Sequence, residues 1–178
     1  MASTSSRRPW KYDVFLSFRG EDTRNNFTDH LYSTLNQRGI LTFRDDPELE
    51  KGKSIGPELF AAIEQSRCAI VILSPRYAES SWCLDELVKI IQCMKRGGQQ
   101  VLPVFYGVDP SEVRHQRGSF ELKRETQVEV KVREHEEVYT KNGDRLNAWR
   151  AALTQVANLS GWDGGNYRSG EQKLLIIY

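Results

Sequence analysis

The chain has 178 residues, and its 25 Lys and Arg side chains against 24 Asp and Glu side chains give a formal net charge of +1. That balance excludes a global field that would attract nucleic acid or an anionic membrane. Three cysteines without C-x-x-C spacing argue against a disulfide framework and a zinc site. The longest apolar run, 68–73, is too short to span a bilayer, so we expect a soluble, single-domain protein.

Strand-like and helix-like segments alternate along the chain. Short apolar segments rich in β-branched and aromatic residues predict strands at 12–18, 40–46, 68–73 and 101–108. Amphipathic spacing predicts helices around Phe27 to Leu35, over 58–66 and 83–95, and from 145 to Ser160-Gly161. LSGW at 159–162 predicts a short edge strand. Such alternation is typical of an α/β fold with a parallel sheet covered on both faces, in a flavodoxin-like topology.

Three segments fall outside this alternation. Residues 1–9 are rich in Ser and Arg and predict a disordered leader. Residues 121–141 are about half charged and mix strand-like alternation with helix-favouring surroundings, for which an exposed helix is the favoured interpretation. Residues 166–178 form a tail or linker, which leaves 10–165 as the predicted domain.

The polar segments that directly follow the strands are the candidate site. In an open parallel sheet, ligands bind beyond the carboxyl ends of the strands. Three such segments are unusually polar, at 17–24, 44–46 and 74–77. Together they predict a pocket that contains cations, hydroxyls, an aromatic ring and one carboxylate.

The stretch SSWCLDEL at 80–87 supplies the aromatic ring and the carboxylate. Helical periodicity places Trp82 and Glu86 one turn apart, on the side opposite the apolar stripe. In a nucleotide pocket, arginine binds phosphate and tryptophan stacks on a base. A carboxylate beside an anomeric carbon stabilises oxocarbenium character, so the residues permit N-glycosidic cleavage without a metal. An aromatic side chain over a loop beside a solvated acid is the alternative interpretation.

Two other motifs are interpreted as chance matches. Gly52-Lys53-Ser54 is similar to part of a P-loop, but Pro47 stands where the loop requires glycine. Asp45-Asp46 after a strand is typical of a receiver domain, yet residues 73–76 lack the phosphoacceptor aspartate expected there.

Several long motifs, taken in order, resemble the plant TIR domain. They are YDVFLSFRGEDTRNNFTDHLYSTL, DDPELEKGKSIGPEL, AIVILSPRYAESSWCLDEL and VLPVFYGVDPSEVRHQRGSF. The resemblance covers about residues 10–120, and WRAALTQVANLSGW extends it to about 162. This domain is the N-terminal signalling module of plant intracellular immune receptors that continue into nucleotide-binding and leucine-rich-repeat regions. The resemblance implies a five-stranded parallel sheet in flavodoxin-like order.

The resemblance also implies an activity, namely hydrolysis of NAD+ or NADP+ as substrate at the bond between nicotinamide and ribose. The family's catalytic glutamate matches Glu86, and no metal is implied. The residues that match pocket-lining positions are Phe18, Arg19, Gly20, Arg24, Ser80 and Trp82. A non-catalytic scaffold that recruits other TIR domains stays open as the alternative function.

Self-association is the switch that the resemblance implies. One symmetric interface matches the first helix at Asp29 and His30, and an asymmetric one matches the mobile BB loop at 45–57. Lipase-like immune signalling proteins downstream and a cytoplasmic or nuclear location follow from the same resemblance. Two features depart from the family pattern: a charged stretch at 121–134 that looks like an insertion, and the C-terminal tail.

Overall fold

The computed structural model describes residues 10–44, 56–122 and 142–163. The strands are β1 (Tyr12–Phe18), β2 (Thr42–Arg44), β3 (Ser66–Leu73), β4 (Gln100–Phe105) and β5 (Trp162–Asp163). They form one sheet in the order β2-β1-β3-β4-β5, and every neighbouring pair is parallel. The predicted flavodoxin-like order is therefore confirmed. The edge strand predicted at 159–162 is present, although it begins only at Trp162.

The helices alternate with these strands. They are α1 (Gly20–Thr23), α2 (Asp29–Gln37), α3 (Gly56–Glu64), α4 (Ser81–Lys95), α5 (Pro110–His115) and α6 (Asn142–Ala157). A π-helical turn, Arg24–Thr28, joins α1 to α2. Tyr77–Glu79 and Gly118–Phe120 are 3-10 turns. None of the helices in the described ranges is long and apolar enough to cross a membrane.

Two details of the helices bear on the sequence predictions. Gly39, with φ of +76°, follows the end of α2, and its left-handed conformation is typical of a glycine that stops a helix. Helix α5 was not predicted, although Asp109 accepts the backbone N–H of Ser111 at 2.6 Å and Pro110 occupies the first turn. The leader, the tail beyond 163 and the charged segment from 123 to 141 lie outside the described residues.

Strand β1 divides its side chains between two apolar layers. Val14 and Leu16 pack with Leu31 and Leu35 of α2 on one face of the sheet. Phe15 points to the other face, where it joins the larger cluster built from α3, α4 and α6. Because successive side chains of a strand point to opposite faces, this near-continuous apolar strand serves both layers.

Close packing at Gly161 determines the path of the chain that leads into β5. A Cβ added there would lie 2.6 Å from the carbonyl oxygen of Pro103 and 2.8 Å from the ring of Phe105. Those distances are shorter than van der Waals contact, so only glycine fits at this position without a shift of the chain. Both edge strands are short in the described ranges, with three residues in β2 and two in β5.

Candidate active site

The first turn of α4 lies against the carboxyl end of β1. Ser80 begins the helix as its N-cap, and its Oγ accepts the backbone N–H of Cys83 at 3.3 Å. The Cys83 thiol in turn lies 3.5 Å from the carbonyl oxygen of Phe18, the last residue of β1. Trp82, in the first turn of α4, lies on the surface with 49% of its area exposed.

Glu86 lies in the second turn of α4 and is buried, with only 7% of its surface exposed. The hydroxyl of Ser17 in β1 donates to its Oε2 at 3.0 Å. The sequence-based placement of this side chain on a face away from the core is therefore wrong. Periodicity reveals the apolar stripe that faces one neighbour, whereas the N-terminal half of α4 is also covered by the end of β1.

Tyr77 completes the buried polar group around Glu86. Its hydroxyl lies 2.8 Å from the Ser17 hydroxyl and donates to the Cys83 carbonyl oxygen at 3.0 Å. Burial, reinforced by Cys83 and Glu86, raises the pKa of Tyr77 well above its ordinary value. Burial and the nearby Glu86 also raise the pKa of Cys83 to about 12. Both groups therefore keep their protons at neutral pH.

Arg24 lies over Phe18 and close to Gly20. The guanidinium carbon of Arg24 is 5.1 Å from the Phe18 ring centroid, a cation–π distance. A Cβ on Gly20 would lie 3.0 Å from Arg24 Nε. The structure thus brings together three of the predicted pocket residues after β1.

Arg19 directly follows β1 and contacts Glu21. Its Nη2 donates to Glu21 Oε2 at 3.2 Å, and about a fifth of its side chain is exposed. Its Nε is buried and has no hydrogen-bond partner in the described part of the chain. One donor of this guanidinium is therefore unsatisfied within the described part of the chain.

Asp22 ties the segment after β1 to the segment after β3. Its Oδ2 accepts the Ser74 hydroxyl at 2.6 Å and the backbone N–H of Arg76 at 3.0 Å. Arg76 also contacts Glu21, with 3.0 Å between Nη1 and Oε2. Two of the three predicted polar segments thus meet at one end of the sheet, whereas residues 45–46 of the third lie outside the described residues.

The neighbouring acid, Asp85, belongs to a different contact. Trp149 of α6 donates its indole N–H to Asp85 Oδ1 at 2.8 Å. Arg145 binds the same carboxylate with two nitrogens, Nε at 3.2 Å and Nη2. Of the two adjacent acids in CLDEL, only Glu86 faces the end of β1.

Sequence reasoning had named Ser17 and Tyr77 only as members of the polar segments after β1 and β3. The hydrogen bonds that join Ser17 to Tyr77 and to Glu86 span 60 and 69 residues of chain. A local pattern has no way to show that pairing. The sequence contained one indication of this contact. Hydroxyl side chains lie at or just after the ends of β1 and β3, two buried strands that were expected to be neighbours.

The model of the TIR domain family matches residues 11–175. This chain belongs to the TIR domain family. It is 54% identical to the disease resistance protein RPV1 of Vitis rotundifolia and 53% identical to the TMV resistance protein N of Nicotiana glutinosa, in each case over 90% of this chain. The chain spans only 11% and 13% of the length of those two relatives.

A solved structure agrees with the family assignment. The TIR domains of the activated Roq1 resistosome, which directly recognises the pathogen effector XopQ, match with a TM-score of 0.77 and 45% identity. The match covers 94% of this chain and all of the other. The fold of this TIR domain is therefore the one found in an assembled plant resistance protein.

The TIR domain exposes both residues predicted for its symmetric interface. Asp29 and His30 are exposed at the start of α2. Asp29 Oδ1 accepts from Arg44 Nη1 at 2.8 Å, and the Arg44 guanidinium lies 4.1 Å from the Tyr32 ring centroid. Residues 45–55 of the BB loop lie outside the described residues.

Within the described ranges of this TIR domain, no group of three or more His, Cys, Asp or Glu side chains is placed to hold a metal ion. Cys68, Cys83 and Cys93 form no disulfide bond with one another. The side chains at the end of β1 include one buried carboxyl group, the guanidinium groups of Arg19, Arg24 and Arg76, and one half-exposed indole.

Proposed function

We propose that this TIR domain hydrolyses NAD+ or NADP+ at the bond between nicotinamide and ribose, and that it does so in plant immune signalling when copies associate. The observation that carries the proposal is the placement of Glu86. Its carboxyl group is buried at the carboxyl end of β1, one helical turn from the half-exposed Trp82. That end of a parallel sheet is where nucleotides bind.

The chemistry requires one carboxylate. The nicotinamide nitrogen is positively charged before cleavage, so it leaves as neutral nicotinamide without receiving a proton. The positive charge passes to the ribose as an oxocarbenium ion, which Glu86 stabilises from the face of the sugar. Water then adds to C1′ and loses a proton, which yields ADP-ribose or its phosphorylated counterpart. No second acid is needed for the leaving group.

The remaining pocket residues suit the other parts of a dinucleotide. Trp82 offers a flat apolar face on which a base stacks. Arg19 and Arg24 follow β1 and carry the guanidinium groups that bind phosphate oxygens. Arg19 supports this role because its side chain lies directly after β1 and about a fifth of it is exposed.

Association of copies is the proposed switch. Exposed Asp29 and His30 supply one surface, and the BB loop at 45–57 supplies the other. If a pocket is completed across two chains, local concentration raises its occupancy by mass action. Recognition of lipase-like signalling proteins, in the cytoplasm or the nucleus, belongs to the same proposal.

The test is nicotinamide release from protein clustered on a carrier surface, with Glu86→Gln beside the wild type. Glu64→Gln is the matched control, because Glu64 lies on α3, is exposed and pairs with Lys89 of α4. We expect Glu86→Gln to lower release at least about 100-fold, as loss of a transition-state charge partner does. The control should match the wild type. Full turnover by Glu86→Gln would contradict the proposal.

A non-catalytic scaffold is the second candidate, and the exposure of Asp29 and His30 favours it because these residues lie on a different helix from Glu86. For a pure scaffold, His30→Ala weakens association and signalling, and Glu86→Gln leaves both intact. For the hydrolase, Glu86→Gln abolishes signalling although association persists.

A further inference from the structure

Two arginines that follow different strands share one carboxylate oxygen. Arg19 comes directly after β1, and Arg76 lies in the turn after β3. Glu21 Oε2 lies 3.2 Å from Arg19 Nη2 and 3.0 Å from Arg76 Nη1. The two guanidinium groups therefore converge on a single anionic atom. We call Arg19 and Arg76 the arginine pair.

Asp22 holds the backbone of the arginine pair independently of Glu21. Its Oδ2 accepts the backbone N–H of Arg76 at 3.0 Å and the Ser74 hydroxyl at 2.6 Å. Because Asp22 follows Arg19 by three residues, these bonds join the segment after β1 to the segment after β3. The two arginines thus stay close together when the side chain of Glu21 turns away.

The arginine pair lies beside the start of α4. The carbonyl oxygen of Phe18, the residue before Arg19, lies 3.5 Å from the Cys83 thiol. Arg19 and Asp22 are close enough to that thiol for their charges to act on it. Trp82 directly precedes Cys83, so the arginine pair is a neighbour of the ring proposed to stack on a base.

Glu21 is the most exposed member of this contact. Its side chain is 61% exposed, whereas that of Arg19 is 22% exposed. Exposed ion pairs contribute little to stability, so a carboxylate in this position exchanges readily for another anion. Arg76 keeps a second partner during such an exchange, because its Nε donates to Glu79 Oε2 at 2.9 Å.

A phosphate group meets the same requirements as the Glu21 carboxylate. Guanidinium groups bind carboxylate and phosphate oxygens with the same geometry. Each phosphate of a dinucleotide carries one negative charge, so its exchange for Glu21 leaves the charge balance around the arginine pair unchanged. It also offers two non-bridging oxygens, one for each guanidinium, where Glu21 offers a single shared oxygen.

We propose that Glu21 occupies an anion site on the arginine pair, and that the diphosphate of the dinucleotide displaces it. The inference rests on the proposed hydrolysis for the identity of the ligand. Arg76 is then a further binding residue, contributed by the turn after β3. Because the diphosphate has to compete with Glu21, this carboxylate lowers the affinity of the pocket for its substrate.

The test is the affinity of the domain for inorganic diphosphate, measured by isothermal titration calorimetry at constant ionic strength. Glu21→Gln removes the competing charge, so it should bind diphosphate about fivefold or more tightly than the wild type. Glu79→Gln is the matched control, because it removes the same charge beside Arg76 but contacts a different nitrogen. Its affinity should change less than about twofold.

Equal gains in Glu21→Gln and Glu79→Gln would reveal a general charge effect and overturn the proposal. The absence of any gain in Glu21→Gln would overturn it as well. Glu21 is exposed, so its replacement by glutamine leaves the packing of the core intact.

Arg76 provides a second arm of the test. In the Glu21→Gln protein, adding Arg76→Gln should abolish the gain in affinity, whereas Arg76→Lys should keep only part of it, because an ammonium group lacks the planar fork of a guanidinium. A double variant that binds diphosphate as tightly as Glu21→Gln would show that the anion binds elsewhere, and the site assigned here would be wrong.

These measurements require no turnover, so they separate this inference from the proposed function. An inactive domain in which Glu21→Gln tightens diphosphate binding would refute the hydrolase and leave the anion site in place. An active domain in which the variant changes neither the diphosphate affinity nor the KM would do the reverse. In an active domain, Glu21→Gln should lower the KM for the dinucleotide by a similar factor and change kcat less.

Discussion

Asp85 and Glu86 are neighbours on α4, yet their carboxylates have different surroundings. Asp85 binds two nitrogens of Arg145 and the indole N–H of Trp149, and about a fifth of its side chain is exposed. Glu86 is more deeply buried and meets the uncharged hydroxyl of Ser17.

We interpret the difference as one between a carboxylate that stabilises the fold and one that the proposed hydrolysis uses. An acid with a guanidinium partner has its charge already compensated, and removing that acid leaves an unpaired cation. Glu86 accepts from the uncharged hydroxyl of Ser17 and lies at the carboxyl end of β1, the end of a parallel sheet at which ligands bind. The four predictions below test this separation, from the largest expected effect to the smallest.

The first prediction concerns stability in Glu86→Gln. Turnover should fall at least about 100-fold, whereas the melting temperature should equal or exceed that of the wild type. The amide has nearly the same shape as the carboxyl group, and its oxygen still accepts the Ser17 hydroxyl, so this contact of the buried side chain is kept. The nicotinamide assay measures the turnover, and thermal unfolding measures the melting temperature. A fall of several degrees would mean that Glu86, like Asp85, is a structural acid.

The second prediction is that Asp85→Asn lowers stability and leaves turnover nearly unchanged, the reverse of Glu86→Gln. Loss of the charge that Arg145 binds should lower the free energy of unfolding by about 1–3 kcal/mol, since the pair is partly exposed and thus partly screened. Turnover per folded molecule should change less than about twofold, because Asp85 faces α6. Urea unfolding measures the free energy of unfolding, and the nicotinamide assay measures the turnover. Glu64→Gln, which breaks an exposed pair, should cost less than about 1 kcal/mol.

The third prediction concerns Trp82→Ala. The KM for the dinucleotide should rise about 5- to 50-fold, because stacking of a base on an aromatic ring is worth about 1–2 kcal/mol. The free energy of unfolding should change by less than about 0.5 kcal/mol, since half of the ring is already in water. Steady-state kinetics measure the KM, and urea unfolding measures the free energy of unfolding. An unchanged KM would remove Trp82 from the binding surface.

The fourth prediction concerns alkaline pH. In the unfolded chain the Cys83 thiol ionises near its ordinary pKa of 9.0, whereas in the folded domain its pKa is about 12. The folded state therefore holds more protons between these values, and stability falls as pH rises above 9, by at most about 1.4 kcal/mol per pH unit for this group. Below pH 9 the contribution is fully present.

Tyr77, whose pKa is also raised, adds to the same loss above its ordinary value of 10.0. Urea unfolding at several pH values between 7 and 11 measures the slope. Cys83→Ala should flatten it, and Cys93→Ala, at a thiol that is less deeply buried, should flatten it less. Equal slopes in all three proteins would contradict the prediction.

Much of the fold was predictable because the strands of a parallel sheet are covered on both faces. The continuous apolar run at 68–73 predicted β3, and no other periodicity was needed. Helix α5 was missed because six residues contain too little periodicity to detect. Its start signal, an acidic N-cap followed by proline, was nevertheless present in the sequence.

The site was predictable only in outline. The polar ends of β1 and β3 and the residues of α4 were identified as one region, because strand ends in a parallel sheet share an edge. The burial of Glu86 was missed, since a helical wheel assumes that one direction is covered and here a second element covers the helix. Contacts such as the one between Ser17 and Tyr77 depend on the final packing of distant segments.

The lack of a side chain at Gly161 has a consequence for the edge of the sheet. Any other residue would push the chain away from Pro103 and Phe105 of β4, and the register that pairs Trp162 with Val104 begins at the very next residue. A single methyl group at this position is therefore enough to loosen the last strand from the sheet.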